Sequence, residues 1–134
     1  MIFTDAEYAY LVEHPLGRLA TIGPGGAPHL HPVAFRLSPG TATIDIGGPA
    51  FARSQKYRNV RADPRVSFVV DDESKEPNPF GQRGRGIEIR GRAAIVSLDQ
   101  PLMVFFDDEI FRLQPRRIVA WNIDEPGYNS RNVH

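Results

Sequence analysis

The sequence predicts a mainly β chain, rolled into an antiparallel barrel of about six strands with two or three short helices. Three observations carry that reading. Short apolar segments recur along 134 residues, separated by turn clusters such as Gly23-Pro24-Gly25-Gly26 and Ser38-Pro39-Gly40-Thr41. The two helical segments do not alternate regularly with the strands, which removes a doubly wound α/β sheet. With 41% hydrophobic residues there is material for one core, so residues 1–134 are expected to form a single domain.

The first element is a helix. Thr4 and Glu7 have capping-box spacing, Phe3 and Tyr8 can staple the turn, and Pro15 and Gly17 stop the helix near His14. Residues 17–22 read as a strand, residues 29–37 as its hairpin partner, and residues 42–46 as a third strand. In that third strand Ala42, Ile44 and Ile46 alternate with Thr43 and Asp45. Gly47-Gly48 breaks it, and Pro49 suits the first turn of a helix spanning Ala50 to Arg61. Asp63-Pro64 ends that helix, and residues 65–70 are apolar enough on both faces to be a central strand. Residues 72–86, rich in Pro, Gly and charge, read as a long mobile loop. Residues 87–96 form a strand, residues 97–110 a loop with one helical turn, and residues 116–123 close the sheet ahead of a tail.

Composition excludes several function classes. Sixteen basic and sixteen acidic residues give no net charge, which argues against a dedicated nucleic-acid or anionic-membrane binder. With no cysteine there is no disulfide, thiolate metal site or cysteine nucleophile. No segment reaches the roughly 18 apolar residues of a membrane span, and the first residues lack a signal-peptide pattern, so a soluble cytoplasmic protein is expected. Nucleophile-elbow, P-loop, zincin and dinucleotide-binding motifs are all missing. His29 and His31 share a strand face but lack a third ligand nearby in sequence, so no metal site is assigned.

One local concentration of charge stands against the neutral background. Arg53, Lys56, Arg58 and Arg61 follow directly behind Gly47-Gly48. The glycines permit close backbone approach, the helix start offers free N–H groups, and Ser54 and Lys56 add a hydroxyl and an ammonium. This is an anion site by residue type; a solvated basic helix face is the alternative reading of the same pattern.

Residues 17–35, 44–48, 54–72, 86–93 and 115–124, in that order and spacing, resemble the flavin/deazaflavin oxidoreductase superfamily with the pyridoxamine-phosphate-oxidase-like split β-barrel. Within it the sequence is most similar to the deazaflavin-dependent actinobacterial branch. The resemblance implies an FMN-binding split-barrel fold, a homodimer with cofactor at the interface, and hydride transfer to a small conjugated acceptor. Ser54 and Lys56 fall where the oxidases hold the cofactor phosphate, and His31, Pro32 and Val33 fall where the ring lies along the second strand. Gln55 and His31 each stand where those oxidases carry an arginine, which turns the expectation from FMN toward coenzyme F420. Gly47, Gly48, Ser54, Gln55, Lys56 and Arg58 complete the expected cofactor-binding set, with Arg83 and Arg85 reaching the oligoglutamate tail. No counterpart of the oxidases' substrate-phosphate motif is present, and no catalytic acid or base is assigned. FMN binding, or a carrier without turnover, are the alternatives.

Overall fold

The computed structural model describes residues 2–38 and 42–133. In chain order it contains helix α1 (Asp5–Glu13), strands β1 (Leu16–Ile22), β2 (Pro28–Leu37) and β3 (Ile44–Gly47), helix α2 (Gln55–Ala62), and strands β4 (Arg65–Glu73), β5 (Gly84–Ser97), β6 (Glu109–Trp121) and β7 (Tyr128–Asn132). The strands neighbour one another in the order β3-β2-β1-β4-β5-β6, and a β3–β6 pairing closes the ring. Every pairing is antiparallel. The expected six-stranded barrel is therefore present, with β7 outside it.

Strand β6 is shared between the barrel and the extra strand. Phe111–Leu113 pair with β3, whereas Arg117–Trp121 pair with β7. Between the two halves lies a bulge: Arg90 faces Arg117 but Gly91 faces Pro115, leaving Arg116 unmatched. Pro115, which has no N–H to donate, sits where β6 changes partner. A side chain on Gly91 would stand 2.1 Å from the Gln114 carbonyl oxygen, so the strands can approach there only over a glycine. The barrel interior is filled by Phe51, Phe68, Phe111, Ile44, Ile46 and Ile87 among others, all fully buried. Edge-on ring contacts order it, Phe51 to Phe111 at 4.5 Å and Phe35 to Phe68 at 4.9 Å between centroids.

Several expectations need correction. Strand β3 starts at Ile44 rather than Ala42, and it is buried on both faces because Arg112 of β6 clamps Asp45 at 2.9 and 3.1 Å. Of the turn after β2, Pro39, Gly40 and Thr41 lie outside the described residues. The expected loop over 72–86 is shorter, since β4 runs to Glu73 and β5 begins at Gly84. Its tip is organised by Asn78, whose side-chain oxygen accepts from the Phe80 and Gln82 amides. The last barrel strand begins at Glu109, not Arg116, and the tail supplies β7.

Helix α1 is fixed at both ends. The capping box forms as read, Glu7 N–H to Thr4 Oγ1 at 3.1 Å and Thr4 N–H to Glu7 Oε1 at 3.0 Å. At the other end Asp72 of β4 gathers Arg85 (2.8 and 3.0 Å), Tyr10 Oη (2.8 Å) and His14 Nε2 (3.1 Å). Arg85 chiefly, then Tyr10 and His14, hold the Asp72 carboxyl far below the ordinary carboxylate range, while burial and Asp72 push the Tyr10 phenol up. A carboxyl depressed on folding contributes stability above its unfolded pKa of about 4 and loses it as pH falls through the folded value. Thermal melts from neutral pH to about pH 2 are expected to show an acid limb that is shallower in Asp72→Asn, a variant already less stable at neutral pH.

Candidate cofactor-binding site

The expected helix from Ala50 to Arg61 is two elements. Ala50 takes a left-handed conformation (φ 50°), Phe51–Arg53 form a 3-10 turn, and α2 begins only at Gln55. The break occurs because Ser54 is an N-cap: its hydroxyl accepts from the Tyr57 amide at 3.3 Å and donates to the Phe51 carbonyl at 2.6 Å. Its single proton is thus spent inside the corner rather than aimed outward.

Arg53, Lys56, Arg58 and Arg61 lie on or just before α2. Among the described residues, ion pairs form on Arg18, Arg65, Arg85, Arg90, Arg112, Arg131 and His14, and none involves these four. Arg58 bonds only neutral oxygens, the Arg53 carbonyl at 3.1 Å and Gln55 Oε1 at 2.8 Å. The Lys56 ammonium lies 5.3 Å from the centroid of the buried Phe51 ring, and partial burial lowers its pKa. Gln55 is turned along its own helix, donating to Asn59 Oδ1 at 2.8 Å. Asn59 in turn donates to Thr21 Oγ1 at 3.0 Å and lies 2.9 Å from His29 Nδ1. That buried contact pins α2 to β1 and β2, and a cleft of about 670 Å³ opens beside it, lined by Gln55, Arg58, Gly23, Pro24 and Arg65.

Strand β2 does not present His31, Pro32 and Val33 together. Directly opposed residues share a face, so His31 and Val33 lie on the side of Leu19 and Gly17, and Pro32 on the side of Arg18. Val33 is buried; His31 and Pro32 are exposed. The steps from His29 to His31 and from Asn59 back to Gln55 both run toward the Gly47–Gly48 corner, which β3 sets beside Ala34.

The glycines at that corner differ. A Cβ on Gly47 would stand 3.2 Å from Ile110 Cγ2, 3.4 Å from Leu102 Cδ1 and 3.5 Å from Phe106 Cδ2. Its bareness answers to Ile110 of β6 and to the chain's own segment 98–108, a correction to the expected open approach. Gly48 retains room, with only Phe51 Cδ1 at 3.7 Å. The same segment brings Asp107, whose amide donates to the Gly48 carbonyl at 3.0 Å and whose carboxylate accepts from the Ala52 amide at 2.9 Å. The start of the 3-10 turn therefore already has an anion, and free cationic capacity lies at Lys56 and Arg58. Nothing local in the sequence pairs residues 52 and 107; only β3–β6 closure brings them together.

One further expectation changes. Arg85 is committed to Asp72 and is not free for a ligand. The Tyr57 hydroxyl donates to Glu109, which raises the phenol pKa and engages its proton. Asn122 adopts φ 56°, a conformation that favours glycine or asparagine, and its amide bonds Gly84 and Gly127 at 2.7 Å each. No helix among the described residues is long and apolar enough to cross a membrane.

Residues 3–125 match the family described as pyridoxamine 5'-phosphate oxidase. A 5a,11a-dehydrotetracycline/5a,11a-dehydrooxytetracycline reductase of Streptomyces rimosus subsp. rimosus is 40% identical over 136 residues, covering 100% of this chain and 92% of the relative. Among solved structures, a conserved hypothetical protein from Mycobacterium tuberculosis aligns with TM-score 0.68 and 26% identity over 92% of this chain and 88% of that one. An F420 reductase aligns with TM-score 0.62 and 25% identity over 87% of this chain and 98% of that one. Barrel and relatives define an oxidoreductase of the split β-barrel class and point to a flavin- or deazaflavin-type cofactor. The chain belongs to the pyridoxamine 5'-phosphate oxidase family.

Proposed function

We propose that the protein binds coenzyme F420 and reduces a conjugated acceptor, with the cofactor phosphodiester at Lys56 and Arg58 beside Gly48 and the ring against the exposed His31 of β2. The observation that carries this is the set of cations on α2 without a carboxylate partner, in a chain that pairs most of its other arginines. An unpaired, partly desolvated ammonium at Lys56 suits a ligand phosphate, whose charge-assisted bonds strengthen as water leaves. The bound cofactor supplies a hydride to the acceptor. The chain's part is to orient the ring and exclude water, which asks little of side-chain acids or bases. The Tyr57 proton is held by Glu109, so this phenol is engaged within the fold.

A homodimer belongs to the same reading. The outer face of the sheet exposes Leu16 and Leu30 and carries a cleft of about 540 Å³ floored by Ala20, Ile22, Pro28 and Val66. A second copy packed there would cover this apolar strip and enclose a cofactor between barrels. The reductase relative of Streptomyces rimosus favours an extended ring system as acceptor.

Lys56→Ala is expected to weaken F420 binding by about 1.5–3 kcal/mol, the range for a hydrogen bond to a charged group. Equilibrium titration followed by cofactor absorbance measures it. Unchanged affinity in the variant removes the phosphate from this corner.

A further inference from the structure

The chain between β5 and β6 is short, strongly anchored and apolar at its tip. Leu98 N–H bonds the Asp108 carbonyl at 2.9 Å, closing the base of a clip over residues 98–108. Asp107 ties the clip to Gly48 and Ala52, and Arg36 of β2 donates to the Leu102 carbonyl at 2.6 Å. Leu102 and Phe106 pack inward over Gly47. Against β2 the clip leaves only a cavity of about 60 Å³, lined by Ala34, Phe35, Arg36, Leu102, Met103 and Phe106.

The tip points the other way. Met103 is 54% exposed, Val104 76% and Phe105 90%. Phe105 also holds φ 71°, a left-handed conformation that a bulky residue adopts only at a cost in strain. Three adjacent apolar side chains kept in water, one of them strained, are not explained by the barrel's own packing. Their supports touch both parts of the candidate site: the Gly48–Ala52 corner, and β2 immediately beyond His31–Val33.

We propose that Met103, Val104 and Phe105 form the acceptor-recognition wall of the enzyme, and that the acceptor class is a planar, fused-ring, conjugated carbonyl compound. The inference rests on the functional reading above. A one-ring enone is too small to need such a wall. A fused-ring compound held over the reacting end of the cofactor extends past β2 and can stack on Phe105 and Met103, an aromatic ring and a polarisable thioether.

The test uses the full chain saturated with oxidised F420, so that acceptor binding is read without turnover. Isothermal titration with 5a,11a-dehydrotetracycline is compared for the unaltered protein, a Met103→Ser/Phe105→Ser variant and Phe105→Gly. The double variant is expected to bind this probe roughly tenfold more weakly, as loss of stacked contacts would give. F420 affinity should stay within about twofold, too small a change to mark a lost contact. Phe105→Gly should lose affinity for the fused-ring probe while melting no lower than the parent, because glycine relieves the φ strain. Unchanged affinity for the fused-ring probe overturns the proposal. So does loss of the dimer in sedimentation, which would make the tip a contact for a second copy. A parent protein that takes up no F420 fails at the first titration, and that failure strikes the functional reading instead.

Discussion

Arg131→Ala is expected to destabilise the fold by about 3–5 kcal/mol, read by urea denaturation at neutral pH. Its partner Glu7 is 0% exposed, and Arg131 meets both of its carboxylate oxygens at 2.6 and 3.0 Å while also donating to the Ile2 carbonyl at 2.7 Å. Truncating the arginine strands a buried carboxylate, whereas removing both charges does not. An Arg131→Met/Glu7→Gln double variant should therefore recover much of the loss, since the introduced amide oxygen can still accept from the Thr4 N–H. Equal losses in the single and double variants would show that the pair matters for shape rather than charge. The same contact explains why the C-terminal segment is a strand: β7 is held to β6 along one edge and to α1 through Arg131.

Phe68→Ala should cost a similar amount, about 3–5 kcal/mol, because the ring is fully buried and its removal opens a cavity between β1, β2 and β4. Its fit is set by Gly17, where an added Cβ would lie 2.2 Å from Phe68 Cζ. Gly17→Ala is thus destabilising beside the phenylalanine ring and far less so once a leucine replaces it. A double-mutant cycle with Phe68→Leu is expected to show marked non-additivity in chemical denaturation. Additive effects would mean that the backbone at Gly17, not the ring, sets the constraint.

Much of the barrel was legible because its signals are local. Thr4 and Glu7 mark α1 within four residues, and the residues alternating around Leu19 and Ile46 carry the period of a strand. What escaped depends on distant partners. The split of the expected 50–61 helix follows from the Ser54 cap and left-handed Ala50, and a Pro-Ala-Phe-Ala sequence gives no sign of either. The long β6 was hidden because Pro115 sits inside it, tolerated only at a bulge opposite Gly91. The tail became β7 through Glu7, more than a hundred residues away.

In the candidate site, the cations of α2 could be read from residue type alone. Their freedom from carboxylates could not, because it depends on where Asp63, Asp107 and Glu109 spend their charge: on Arg65, the Ala52 amide and Tyr57. Arg85 shows the converse. Sequence offered it to a ligand, and folding gave it to Asp72. The apolar tip of segment 98–108 carried no periodicity at all, and its interest comes entirely from its exposure and from what anchors it.

The most direct measurement is a parallel anaerobic titration of the purified protein with coenzyme F420 and with FMN, followed by absorbance at low and high salt. F420 is expected to bind in the micromolar range, more tightly than FMN, and less tightly as salt screens Lys56 and Arg58. Binding of FMN alone would contradict the choice of cofactor, and binding of neither would contradict the reading of the α2 corner as an anion cradle.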